Sequence, residues 1–455
     1  MSGFRRSFVL LACAVLIVAV PLPAVADDVT GSPCSPSGDT LRYLVVFDQG
    51  TTESRARAQT GASCGTVTAY YPQITVGVAT STDPAFAERF GPDRAFSAQA
   101  QRRTHAPSRD RLSLTDPREV SPINREDEQW DMAAINARGA GRGSRDVVVG
   151  VLDSGVDAHH PDLAGAVDTR LSAGCLSGAP DDDWAPTTSP HGTHVAGIVA
   201  AADDGKGITG VAPGVRVASV KVIDDRGYVD PAAVVCGLVW AATHGMKVVN
   251  ASFAIDPWGL SCSHADTYGV MYEAISRAVR YATAAGTLVI AAATNEAVNL
   301  TPARPGPASG ARCDVLPAGL RDVVAVSAVR RDGVKAGYSS YGLGVVDLTA
   351  PGGDGDDCVL STVPGGYGSL CGTSMAAPHV AGVAALVASA HPGIDAGPLR
   401  DALEQGARPT PCPTDYDLTG DGRQDAFCAG YTGYNGFYGH GQVDAVGALT
   451  AAAGE

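Results

Sequence analysis

The chain has 455 residues, 45% of them hydrophobic, with 33 Lys+Arg against 48 Asp+Glu and a formal net charge of −15. That apolar content excludes a mainly disordered chain and suffices for a sizeable core spread over two or three domains. The acidic balance excludes nucleic acid as the main partner, because phosphate binding needs a basic surface.

Residues 1–26 read as a secretory signal, with Arg5 and Arg6, an apolar run over 8–20 and Ala24-Val25-Ala26 as the cleavage site. The run is too short to cross about 30 Å of hydrocarbon, so a secreted product without a stable membrane anchor is expected. Arg5-Arg6-Ser7-Phe8-Val9 also resembles a twin-arginine signal, which leaves the export route open. With Cys13 removed, ten of the 11 cysteines enter an oxidising compartment, where disulfides are expected. Short loops predict Cys358–Cys371 and Cys412–Cys428. Cys34 and Cys64 fall apart from the rest, before residue 120. Cys236, within Val234-Val235-Cys236-Gly237-Leu238, reads as a core residue.

Residues 27–103 carry Val-, Tyr-, Ile- and Thr-rich stretches at 41–47 and 64–78, which read as strands, and a short helix at 84–90; this is a small α+β unit. Composition then shifts to Arg, Asp, Ser and Pro, and 104–126 reads as an exposed linker suited to proteolytic processing. From 127 to 455 the pattern is different. Uniformly apolar runs at 147–152, 215–223, 247–252, 287–293, 323–328 and 346–350 alternate with helical segments. Runs without polar alternation are buried on both faces, which predicts an α/β domain with a doubly wound, mostly parallel sheet flanked by helices. Its site is expected outside the carboxyl ends of the strands.

Three motifs sit at such places. The first apolar run ends in Asp153-Ser154-Gly155. His191-Gly192-Thr193-His194 opens a helix, and Gly372-Thr373-Ser374-Met375-Ala376-Ala377-Pro378-His379 precedes the apolar stretch 380–390. Two histidines at i, i+3 without HExxH do not make a zinc site. Alone, Ser374 would read as a helix N-cap. Together, the three residue types are what acyl transfer needs: a hydroxyl nucleophile, an imidazole to take its proton, and a carboxylate to fix the imidazole tautomer.

In these motifs and their Asp, His, Ser order the chain resembles the subtilisin-like (subtilase, peptidase S8 type) serine endopeptidases from about residue 130 to 448. The resemblance implies a subtilisin-like fold. It also implies a secreted enzyme that hydrolyses peptide bonds in proteins through an acyl-enzyme intermediate, and that is made as a self-processing zymogen. Asp153 orients, His191 is general base and acid, Ser374 attacks, and Asn295 donates to the oxyanion with the Ser374 backbone N–H. His194 and His379 are structural. Residues 27–103 take the place of the propeptide, an intramolecular inhibitor and folding template. Protein or peptide substrates are the expected partners, and a monomer is expected. A catalytically dead relative is disfavoured because all four functional residues are present, and an α/β-hydrolase esterase because no Gly-x-Ser-x-Gly elbow surrounds Ser374.

The family's cleft strands, commonly Ser-Leu-Gly-Gly and Ala-Ala-Gly-Asn, read here Ser252-Phe253-Ala254-Ile255 and Ala292-Ala293-Thr294-Asn295. Replacing each glycine adds a Cβ, which predicts small or medium apolar side chains before the cut, unless Ala254 and Thr294 point away. No cofactor is expected in the chemistry. Structural calcium is open at Asp417, Thr419, Asp421 and Asp425, which occupy loop positions 1, 3, 5 and 9 of a calcium loop. Position 12 is Cys428 instead of Glu, and an acidic solvated loop pinned by a disulfide fits the same residues. Asp162 and Asp204 match positions that supply calcium oxygens in some subtilases.

Overall fold

The computed structural model describes residues 34–36, 38–104, 114–121, 123–255, 265–302 and 315–454; the expected signal, Cys262 and Cys313 lie outside the described residues. In the N-terminal unit β1 (Leu41–Val46), α1 (Glu53–Ala62), β2 (Thr66–Tyr71), β3 (Val76–Ser81), α2 (Phe86–Phe90), β4 (Ala95–Phe96) and α3 (Ala98–Thr104) follow in order. The four strands form an antiparallel sheet ordered β2-β3-β1-β4. Strand alternation divides β1 between two layers. Tyr43, Val45 and Phe47 pack with Ala56 and Phe86 in the unit's own core, while Leu44 and Val46 join an apolar layer shared with the larger domain. The sequence reading missed α1. Its N-cap Thr52 accepts the Arg55 N–H, but only Ala56 and Thr60 are buried, so it carries no apolar stripe to announce it.

After β5 (Thr115–Glu119), the larger domain runs α4 (Trp130–Ala134), β6 (Val148–Asp153), β7 (Ala173–Gly174), α5 (His191–Ala200), β8 (Arg216–Lys221), α6 (Pro231–Thr243), β9 (Val248–Ala251), α7 (Ala265–Ala284), β10 (Leu288–Ala292), β11 (Val323–Val329) and β12 (Leu348–Pro351). It continues through β13 (Val359–Val363), β14 (Gly366–Leu370), α8 (Thr373–Ala390), α9 (Ala396–Gly406), β15 (Gly430–Tyr431), β16 (Tyr434–Asn435) and α10 (Ala445–Ala453). Seven strands form a parallel sheet ordered β12-β11-β10-β9-β6-β8-β7. Each apolar run singled out in the sequence supplies one of its strands, and both faces are covered. Val149 and Val151 of β6 point to the layer of α5 and α8, whereas Val148 and Leu152 point to that of α6 and α7. Helix α8 is, among the described residues, long and apolar enough to cross a membrane, yet it is the buried core helix of this sheet.

The segment expected to be an exposed linker contains β5, which pairs with β14 at the edge of a three-stranded sheet. Its side chains are mostly exposed, as the composition suggests. Its backbone is nevertheless paired, and Pro117 is tolerated because β5 is an edge strand.

Disulfides join Cys34–Cys64, Cys175–Cys236, Cys358–Cys371 and Cys412–Cys428. Cys236 is therefore corrected from a core thiol to a half-cystine. A buried apolar neighbourhood suits either state, and its partner lies 61 residues away in sequence.

The N-terminal unit lies on α6 and α7. Arg277 of α7 donates from Nη1 to the Phe47 carbonyl at 2.8 Å and to Thr75 Oγ1 at 2.7 Å. The Tyr71 hydroxyl donates to the Gly178 carbonyl at 2.7 Å, and Arg42 Nη1 to the Leu176 carbonyl at 2.6 Å.

Candidate active site

Asp153 is the last residue of β6, fully buried at the strand's carboxyl end. Gly155 follows with φ +96°, and a Cβ there would stand 2.4 Å from the Ala185 carbonyl oxygen, so the turn admits only glycine. The turn brings the Asp153 carboxylate to the start of α5, where His191 Nδ1 lies 2.7 Å from Oδ1 and 2.9 Å from Oδ2. A Cβ on Gly192 would stand 2.3 Å from the Gly155 carbonyl oxygen, which accounts for the glycine after this histidine. Asp153 Oδ1 also accepts the Ser154 N–H at 2.7 Å, so the carboxylate is held from two sides.

Ser374 is the second residue of α8 and is buried. Its hydroxyl donates to the Ser252 carbonyl at 3.0 Å, and the Ser252 hydroxyl donates back to the Ser374 carbonyl at 2.8 Å. Asn250 Nδ2 donates to Ser252 Oγ at 2.8 Å, which fixes this exchange from below. Ser252 follows β9, the neighbour of β6 in the sheet, so the carboxyl ends of β6, β9 and β10 lie side by side, with Ser252 joining them to the start of α8.

Asn295 follows β10 at the same end. Its Oδ1 accepts the Thr373 backbone N–H at 2.9 Å and the Thr373 hydroxyl at 2.8 Å. Two donors on the oxygen fix the amide flip, and Nδ2 sits toward Gly372, 3.4 Å from where a Cβ on that glycine would stand. The sequence reading did not include Thr373, the partner of Asn295. A threonine beside Ser374 carries no pattern of its own.

Of the cleft residues, Ser252, Phe253, Ala292, Ala293 and Thr294 are buried and Ala254 is partly buried. Thr294 has φ +79°. A β-branched residue in this region is strained, typically by about 1–3 kcal/mol. Its hydroxyl donates to Ser340 Oγ at 2.8 Å, and its carbonyl accepts the Ser340 N–H at 3.0 Å.

His194 is fully buried, with Nε2 3.0 Å from the Val359 carbonyl and 3.1 Å from that of Gly368. Burial pushes its imidazole down to about 3, with nearby His191 adding to the effect. His379 lies on α8, with Nδ1 at 2.7 Å from the Met375 carbonyl and Nε2 at 2.9 Å from Asp131.

The candidate calcium residues lie on an exposed turn. Asp417 accepts the N–H groups of Gly420, Asp421 and Gly422, and Asp425 accepts that of Leu418 at 2.7 Å. Asp162 is buried. Its Oδ2 accepts the Ile208 N–H at 3.1 Å and the Tyr367 hydroxyl at 3.0 Å, and burial raises its pKa. Asp204 accepts the Lys206 N–H at 3.0 Å.

Residues 144–441 match the family model described as the Subtilase family. Subtilisin NAT of Bacillus subtilis subsp. natto is 36% identical over 263 residues, covering 57% of this chain and 60% of that protein. The match thus spans less than two thirds of that relative's length. The subtilisin of Bacillus pumilus is 36% identical over 57% of this chain and 83% of its own. A solved protease structure from Pseudoalteromonas arctica aligns with TM-score 0.55 and 29% identity, covering 73% of this chain and all of that one.

Proposed function

This chain belongs to the subtilase family, and on that premise we propose that it is a secreted serine endopeptidase, made as a zymogen that processes itself. The observation carrying this reading is the buried Asp153 carboxylate on His191 Nδ1 at 2.7 Å, at the sheet end where Ser374 meets Ser252 after β9 and Asn295 follows β10. As substrate enters, the Ser374 hydroxyl turns from the Ser252 carbonyl toward His191. Its oxygen attacks the peptide carbonyl carbon while its proton passes to His191 Nε2. The resulting oxyanion meets Asn295 Nδ2 and the Ser374 backbone N–H. His191 then gives the proton to the leaving amine, and an ester on Ser374 remains. Water repeats the cycle, releasing the acid and restoring the hydroxyl. These side chains supply the chemistry without a cofactor.

In this reading residues 1–26 direct export and 27–103 act as propeptide. The propeptide sheet rests on α6 and α7, held by Arg277, Arg42 and Tyr71. A docked template suits a parallel sheet, whose contacts are long-range and slow to form. The cleft residues 252–254 and 292–294 favour small or medium apolar side chains before the cut. Calcium would brace the 417–425 turn through Asp417, Thr419, Asp421 and Asp425, a hard-oxygen set suited to that ion. Because the turn already closes on its own hydrogen bonds, the brace is a minor one. The working enzyme is a monomer.

The test is fluorophosphonate labelling and casein hydrolysis by the secreted protein, alongside Ser374→Ala. Wild type should label and hydrolyse, while the variant should do neither and should accumulate as precursor. Normal trimming of the variant would assign processing to another protease. An unlabelled, inactive wild type would end the reading.

A further inference from the structure

We propose that Ser340 is a positioning residue for the oxyanion donor, acting through the strained Thr294; this rests on the endopeptidase reading above. Thr294 immediately precedes Asn295 and holds φ +79°, a conformation glycine adopts freely and a β-branched residue does not. Something must hold it there. Ser340, fully buried, engages Thr294 twice: its N–H donates to the Thr294 carbonyl at 3.0 Å, and its Oγ accepts the Thr294 hydroxyl at 2.8 Å.

These two bonds grip both ends of the residue, backbone and side chain, and so oppose its relaxation to negative φ. Such a relaxation would rotate the peptide between Thr294 and Asn295. The asparagine is fixed at its other end by Thr373 on Oδ1, so a rotated backbone and a fixed amide cannot both be kept. Ser340 is in turn anchored from behind. The buried Lys335 Nζ donates to the Ser339 carbonyl at 2.6 Å, and the Ser339 hydroxyl oxygen accepts the Ala328 N–H near the end of β11 at 3.0 Å. Across the turn, Ala297, also at positive φ, donates its N–H to the Tyr338 carbonyl at 2.8 Å. The segment 335–341 is therefore a rigid backing for the oxyanion turn, and Ser340 is its point of contact with Thr294.

The consequence is a conditional dependence. Ser340 matters to catalysis because residue 294 is not glycine. A double-mutant cycle over Ser340→Ala and Thr294→Gly reads this directly. With wild-type Thr294, Ser340→Ala should lower kcat about tenfold with KM within about twofold, since an oxyanion donor acts in the transition state. With Thr294→Gly, the same substitution should change kcat less than about twofold. Active-site titration by a fluorophosphonate, run to completion, corrects every variant for folded sites, so a mere stability loss does not enter kcat. An equal fall of kcat in both backgrounds, or no fall in either, would overturn the proposal. Failure of wild type to label or hydrolyse would instead remove the endopeptidase reading, and the two outcomes are distinct.

Discussion

His379 Nε2 lies 2.9 Å from Asp131 Oδ2, and both side chains are fully buried. The contact ties α4, at the front of the larger domain, to the helix that carries Ser374. The other ring nitrogen of His379 faces the Met375 carbonyl at 2.7 Å, one residue beyond Ser374. Removing the carboxylate leaves a buried polar group without its partner, which costs about 1–3 kcal/mol. Asp131→Ala in the Ser374→Ala background, where self-digestion is absent, should lose that much in urea unfolding. An unchanged midpoint would show that the pair does not hold the two helices.

Acid stability should depend on His194. Its imidazole is pushed down to about 3 by burial and by His191, while an unfolded chain holds that proton up to about pH 6.5. Between these values the unfolded chain binds more protons, so stability rises with pH. The contribution is complete above about pH 6.5 and is lost as pH falls toward 3, by up to ~1.4 kcal/mol per unit. Unfolding free energy of Ser374→Ala should therefore fall with acidification over this window, and His194→Gln should flatten the slope. Equal slopes would place the acid sensitivity elsewhere.

Asn295→Ala should lower kcat by about 10²–10³ with little change in KM, the magnitude known for loss of the corresponding donor in subtilisin. Thr373→Val, which removes one of the two donors on Asn295 Oδ1, should have a smaller effect in the same direction. A rise in KM alone for Asn295→Ala would point to ground-state binding instead.

Side-chain preference should follow the Cβ that Ala254 adds beside Phe253, because the Thr294 side chain is turned to Ser340. A peptide library should show cleavage mainly after small and medium apolar residues, and Ala254→Gly should increase the share of cleavage after Phe and Tyr. A wild-type profile dominated by Phe, Tyr or Arg would mean that the Ala254 side chain leaves the pocket open.

Chelation should lower the melting temperature by only a few degrees and leave kcat of the folded enzyme unchanged. The 417–425 turn is closed by three backbone N–H groups on Asp417, and it carries none of the site's side chains. No shift, with no binding of Ca2+ in calorimetry, would leave the turn as a hydrogen-bonded loop beside Cys412–Cys428.

Sheet and site differ in how far the sequence alone determines them. Uniform apolar runs specify strands buried on both faces, so the parallel sheet and its two covering layers were readable without coordinates. The motifs around Asp153, His191 and Ser374 were readable too, because each occupies an element end and the chemistry restricts its residue type. Local pattern carries no record of pairings over long separations. Cys175–Cys236, Asp131–His379 and the pairing of β5 with β14 needed the fold, since each joins segments whose own composition suits another state equally well. Thr294 marks the boundary most clearly. The substitution of glycine is visible in the chain, but whether its side chain narrows the cleft or braces the turn depends on φ and on Ser340, 46 residues away. Only tertiary packing decides that, because strain at one residue persists only where distant neighbours hold it.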